Sequence, residues 1–197
     1  MVNVNAPFGL RAVGELGSNI QNGGTTEYNI LPGLATQIYK GDLVQILAAN
    51  GTIQQSAAGN ADCLGVFNGC LYDDPTTQKP TWSNYYAGSI TPANSEDVQA
   101  FVYDNPFQIY RCASDAQVAS TVAGAHEVIF ETFGFNTTAG STATGKSSAT
   151  LDIGSTHATN DSWKLLGLAE DPENEDLTAA YCSVNVIQNL NEIIDST

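Results

Sequence analysis

IYKGDLVQILAANGTIQQSAAGNADCLGVFNGCLY, residues 38–72, reads as three short strands joined by turns. Val44 and Ile46 fall on one side of an extended chain and Gln45 on the other, the two-residue period of a half-buried strand. Asn50-Gly51 then supplies a pair that tolerates positive φ, the signature of a tight hairpin. Ile53 continues on the return strand beside Gln54, and beyond a small-residue loop Leu64 and Val66 alternate around Gly65. This β module carries no chemistry of its own. It is scaffold, and the rest of the chain extends it.

Residues 25–31 (TTEYNIL) form a further strand signal closed by Pro32-Gly33. Val98 to Tyr103 is another, and after the turn Asp104-Asn105-Pro106 the stretch Phe107 to Cys112 is expected to return as its hairpin partner. Glu127 to Phe133, Trp163 to Leu168 and Ala180 to Ile187 complete the strands; in the last, Cys182, Val184 and Val186 face inward. Ser114 to Val122 is the expected helix, capped by Ser114 and carrying Ala116, Val118 and Ala119 at rough helical spacing. The pattern predicts a mostly β fold: a compact antiparallel sandwich or barrel with long loops and at most one short helix.

Residues 1–24 read as an extended N-terminal arm leading into a β domain over 25–197. Pro7 pushes Ala6 towards an extended conformation and the glycines disfavour a helix. Phe8, Leu10 and Val13 are nevertheless apolar and must be buried on this domain or on a neighbour. Two segments interrupt the strands. Residues 73–95 form a loop-rich insertion with Trp82, Tyr85 and Tyr86 in its middle, and the aromatics either pin the loop or reach for a partner. Residues 136–160, rich in Thr, Ser, Ala and Gly, cannot build a core alone and so lie over something else or stay mobile.

Acidic residues outnumber basic ones by 21 to 6, a net charge of −15. Such a surface repels phosphates, so neither nucleic acid nor an anionic membrane is an expected partner. It suits solubility, or attraction to a basic partner surface. Cys63, Cys70, Cys112 and Cys182 are widely spread without a CxxC, and neither His126 nor His157 has ligand spacing to them. No metal or cofactor is expected, and buried free thiols fit synthesis in a reducing cytoplasm. The start MVNVNAPFG has no apolar secretory core and no run approaches a membrane span in length.

One motif points elsewhere. Residues 140–147, GSTATGKS, match the phosphate-binding pattern GxxxxGK[ST], with Lys146 and Ser147 in the roles of phosphate and magnesium contacts. That chemistry needs a helix after the loop, and SSATLDIGSTHATNDS, with its Thr, Ile and Gly, does not supply one. The match is read as chance in a Gly/Ser/Thr-rich segment. The acidic run Glu170 to Asp176 lacks the alternating pattern of a calcium loop and is read as a solvated turn. No histidine sits beside a nucleophile signature, so the protein is expected not to be an enzyme.

Three stretches in order along most of the chain carry a resemblance: NAPFGLRAV (residues 5–13), the opening module through CLGVFNGCLY, and WKLLGLAEDPENED with YCSVNVIQN. Together they resemble tailed-bacteriophage capsid decoration proteins, the cement or head-stabilisation family. The resemblance implies a mostly β, homotrimeric protein of the virion exterior, bound to the major capsid protein and stabilising the shell against packaged DNA. It brings no catalytic residues. Pro7, Phe8, Leu10 and Arg11 of the arm, with Trp82, Tyr85 and Tyr86, are the residues expected at the protein interface. The alternative is a host-recognition or carbohydrate-binding β module on the phage particle, whose aromatics would stack on sugars.

Overall fold

The computed structural model describes residues 3–17, 24–58, 63–154 and 161–194; His157 lies outside them. The strands are β1 (Arg11–Glu15), β2 (Thr26–Ile30), β3 (Ile38–Tyr39), β4 (Leu43–Leu47), β5 (Thr52–Gln55), β6 (Gly65–Asp73) and β7 (Pro80–Ser83). They continue as β8 (Tyr85–Tyr86), β9 (Val98–Tyr103), β10 (Gln108–Ala113), β11 (Thr132–Asn136), β12 (Thr150–Asp152), β13 (Trp163–Leu168) and β14 (Ser183–Gln188). Helix α1 (Val122–Val128) separates β10 from β11.

One sheet runs β1-β10-β14-β13-β11-β12, the other β2-β9-β6-β4-β5 with β7 added to β6, and β3 pairs with β8 in a small third sheet. The fold is mostly β and antiparallel, consistent with a sandwich and not with a closed barrel. Two apolar clusters hold it together. Tyr110, Phe133, Leu151, Trp163 and Val184 centre the first, against the first sheet. Ile30, Ile53, Phe67, Tyr86 and Val102 centre the second, between the second sheet and the β3–β8 pair. Leu43 and Val66 belong to the first cluster while Val44 and Phe67, one residue on, belong to the second. The start of β4, which its alternation predicts to be half-buried, is therefore buried on both faces.

The opening module folds as expected, with Val44 opposite Gln55 and Leu47 opposite Thr52. Its hairpin loop is longer than the two-residue turn suggested by Asn50-Gly51: residues 48–51 make it, and only Gly51 takes a positive φ, +66°.

Two sequence expectations fail for one physical reason, competition from distant partners. β9 and β10 are not a hairpin: β9 pairs with β2 and β6, whereas β10 pairs with β1 and β14. The inward side chains Val98, Ala100 and Val102 of β9 fill one cluster and Tyr110 and Cys112 of β10 fill the other, so the turn carries the chain between sheets. Likewise, residues 114–119 are not helical. Their amides are spoken for: Ser114 donates to the Cys182 carbonyl, Asp115 to Leu151, and Val118 and Ala119 to Leu177. Helix α1 begins only where those bonds end, with the Thr121 side chain accepting from the Gly124 amide. It also occupies the first part of the strand expected over Glu127 to Phe133, and β11 starts at Thr132.

The insertion 73–95 and residues 136–154 of the low-complexity segment are both built into the fold. The insertion 73–95 supplies β7 and β8, and Asp74 orders its tip by accepting from the Thr76 and Thr77 amides. In the segment 136–160, Ala149 and Leu151 reach the first cluster and Ser147 and Thr150 are buried.

Candidate functional site

Residues 3–17 of the extended arm are stitched to the β domain, and of its apolar residues Leu10 is buried on this domain. Asn3 donates to the carbonyls of Asp176 and Ala180 and accepts from the Asp176 amide, while the Val4 amide donates to Asn174. Further on, the leader crosses Gly41, whose carbonyl accepts from Leu10 at 2.9 Å. Two glycines with positive φ meet there, Gly9 at +70° and Gly41 at +94°. A Cβ on Gly9 would sit 2.5 Å from the Gly41 oxygen and 2.6 Å from Ser147 Cβ, so the crossing exists because neither residue has a side chain. Leu10 then enters the first cluster, and β1 adds to the edge of β10.

The crossing leaves a cleft of about 720 Å³ between the leader and the two segments bearing Lys40 and Lys146. Pro7, Phe8, Leu10 and Arg11 line it together, as a group expected at an interface. Leu10, however, is buried and works as core, so the contact-capable members are the half-buried Pro7 and Phe8 and the exposed Arg11. Lys40 and Lys146 arrive from distant parts of the chain through a parallel bridge: the Lys40 amide donates to Gly145, and the Ser147 amide donates back to Lys40. Asn68, the extra residue where the register of β6 slips against β9 between Phe67 and Gly69, also lines the cleft. A bulge of this kind re-aims a side chain.

The aromatic trio does not come together as a surface. Tyr86 is fully buried and donates its hydroxyl to the Leu34 carbonyl at 3.0 Å, so its interface role is withdrawn. Tyr85 is half-buried and stacks on Tyr39, ring centroids 5.5 Å apart. Trp82 alone of the three is well exposed, at 49%, tilted against Phe101.

The phosphate-loop match has a different structure from a nucleotide cradle. The amides of Ser141, Thr144, Gly145, Lys146 and Ser147 all donate within the protein, to Lys146, Ser141, Ser141, Thr144 and Lys40 respectively. No helix follows, since β12 comes next. Amides already bonded cannot also wrap a phosphate. What the motif contributes is Lys146 as one wall of the cleft.

Beneath the crossing lies Asp42, a buried carboxylate. Burial pushes its pKa up, and the Ser147 hydroxyl, the Tyr39 amide and Gln55 oppose that push without cancelling it. The Tyr39 amide and the Gln55 side chain donate to one carboxylate oxygen at 2.8 and 2.9 Å. Because the folded pKa exceeds the unfolded value of 3.8, the fold binds a proton that the unfolded chain releases. Its contribution is therefore most favourable below 3.8 and declines as pH rises through the folded value. Asp42→Asn cannot ionise, so its stability relative to the parent is expected to rise across that window and level off above it. Urea unfolding of both proteins from pH 3 upward measures the difference; a pH-independent offset would show that Asp42 is not held against its charge.

Elsewhere the acidic side chains serve the loops. Asp171 accepts from the Ser183 hydroxyl at 2.8 Å, and Asp176 accepts from the Thr178 amide and hydroxyl. All four cysteines are buried free thiols, and burial raises Cys70 to about 12 and Cys182 to about 11, which keeps both protonated and unreactive. Among the described residues no group of three or more metal-ligand side chains is present, and no helix is long and apolar enough to cross a membrane.

No family model, no curated protein and no solved structure matches this chain.

Proposed function

We propose that this protein is a structural component of a tailed-phage particle that docks on the outer surface of the capsid and stabilises it against packaged DNA. The observation that supports the reading best is an apolar strip on an open strand edge. β1 ends its sheet, paired on one side only among the described residues. Beside it Leu16 and Phe107, joined by the Leu16 amide to the Phe107 carbonyl, are 57% and 59% exposed, with Val13 further along the strand. Exposed apolar groups on an open edge suit addition of another chain. In a chain of net charge −15 the acidic remainder keeps the free protein soluble.

The sequence resemblance supports the same reading, and its three stretches are packed on one another. Leu10 of the first bonds Gly41 of the second, and Gln188 of the third donates to Cys63 of the second at 2.6 Å. Binding of this kind acts by mass action: a protein that adheres only to the assembled shell stabilises it in proportion to occupancy. Self-association as a homotrimer would multiply each weak contact, since linked sites bind with avidity. The partner in this reading is the major capsid protein. The carbohydrate-binding alternative retains only the exposed indole of Trp82, because its companions are stacked or buried.

The test mixes purified protein with phage heads that lack a decoration protein and counts bound copies by gel densitometry and cryo-EM. Saturating occupancy and raised heat resistance of the heads are expected. Leu16→Asp with Phe107→Asp changes only exposed side chains and should cut occupancy at least about tenfold, the loss of ~1.4 kcal/mol per site. Heads left bare by the parent protein would end the proposal; equal occupancy by the double variant would remove the β1 edge from it.

A further inference from the structure

We infer that the cleft under the leader is a binding site for a carboxylate-rich, extended segment of a partner protein. This stands independently of where the protein resides. Arg11, Lys40 and Lys146 are three of only six basic residues in the chain, and all line this one cleft. None of the described acidic residues does. All three side chains are exposed, and among the described residues none is neutralised by a carboxylate. In a chain so rich in acid, a cation cluster kept free of acid marks the part of the surface where negative charge is received.

A fourth cation strengthens the argument. The register places Arg111 of β10 directly opposite Arg11 of β1. Like charges directly opposite across a ladder are destabilising. A carboxylate received at Arg11, which lines the cleft, relieves that like-charge repulsion.

Other features separate a peptide from a phosphate. The neighbouring backbone amides are used internally, so the loop offers no nest for a phosphate. The Asn68 side-chain oxygen is buried and lacks a donor, which a peptide N–H supplies and a nucleic-acid phosphodiester does not. Pro7 and Phe8 give an apolar wall for the peptide backbone and stems. The volume, about 720 Å³, accommodates several residues.

The probe is fluorescein-labelled hexaglutamate, with hexaglutamine as its uncharged counterpart, titrated against the full-length protein by fluorescence anisotropy. Hexaglutamate is expected to bind, hexaglutamine not, and binding should weaken as salt screens the charges. Lys40→Gln with Lys146→Gln should weaken it at least about fivefold, while Lys79→Gln, exposed and outside the cleft, leaves it unchanged. Absence of hexaglutamate binding would overturn the inference, as would equal binding by the double variant. Displacement by inorganic phosphate or a short DNA duplex as readily as by unlabelled hexaglutamate would also overturn it, in favour of a general anion site.

Discussion

Trp163→Ala is expected to destabilise the fold by about 3–5 kcal/mol, the range for deleting a large aromatic from a packed core. Trp163 is 0% exposed and sits where β13 meets both β14 and β11, opposite Gln188 and Phe133. Its ring takes edge contacts from Tyr110 at 5.4 Å and Phe135 at 5.7 Å, so three strands of the first sheet lose their common neighbour. A loss of that size is a fifth or more of the stability of an ordinary domain, about 5–15 kcal/mol. The indole N–H has no hydrogen-bond partner, so the residue is held by shape and area alone. Trp163→Phe keeps the aromatic contacts and removes the unpaired donor, and should cost well under half as much. Urea unfolding followed by far-ultraviolet circular dichroism checks both, through a lowered midpoint at constant slope. Equal costs for Ala and Phe would mean that the donor, not the packing, holds this position.

The strands were legible where one residue pattern faces one core. Val98 to Tyr103 alternates cleanly and is β9, and the strand expected over Ala180 to Ile187 appears as β14 over Ser183–Gln188. Partner choice was not legible, because it depends on which of two clusters each strand fills. Asp104-Asn105-Pro106 reads as a hairpin turn in isolation, yet it joins strands belonging to different sheets. Ser114 shows the same limit: a good cap by residue type, it is buried and its hydroxyl accepts from the Cys182 amide. Local propensity is outweighed when a distant strand claims the same amide.

The cleft was half legible. Pro7, Phe8 and Arg11 stand together in the leader and could be grouped by proximity along the chain. Lys40 and Lys146 could not, since only the bridge between their segments brings them together. Lys146 stands out in the sequence through the phosphate-loop pattern, but for a chemistry its bonded amides do not support. The scarcity of cations was the usable signal: with six in the whole chain, each one's location carries information. Trp82, Tyr85 and Tyr86 failed as a group because neighbouring residues of a strand point to opposite faces. Tyr86 thus enters the second cluster while Tyr85 turns out onto Tyr39.

Gly9→Ala joins the fold to the cleft and is expected to cost about 3 kcal/mol, from a left-handed backbone that disfavours any side chain and a forced shift of the crossing. The new methyl would meet the Gly41 carbonyl and the Ser147 side chain, and the first of these is backbone that cannot rotate away. Relief comes by lifting the leader, which breaks the Leu10 bond to Gly41 and withdraws Leu10 from its cluster. Arg11 then leaves its place opposite Arg111, and the wall of the cleft goes with it. Trypsin should therefore cut after Arg11 much faster in Gly9→Ala than in the parent, and hexaglutamate binding should fall in parallel. Gly14→Ala is the control, because a methyl there meets nothing within 4 Å and its backbone is not left-handed. If Gly9→Ala resists trypsin and binds the acidic probe as the parent does, the leader does not form the wall. If stability alone falls while the probe still binds, Lys40 and Lys146 hold the acidic segment without the leader's help.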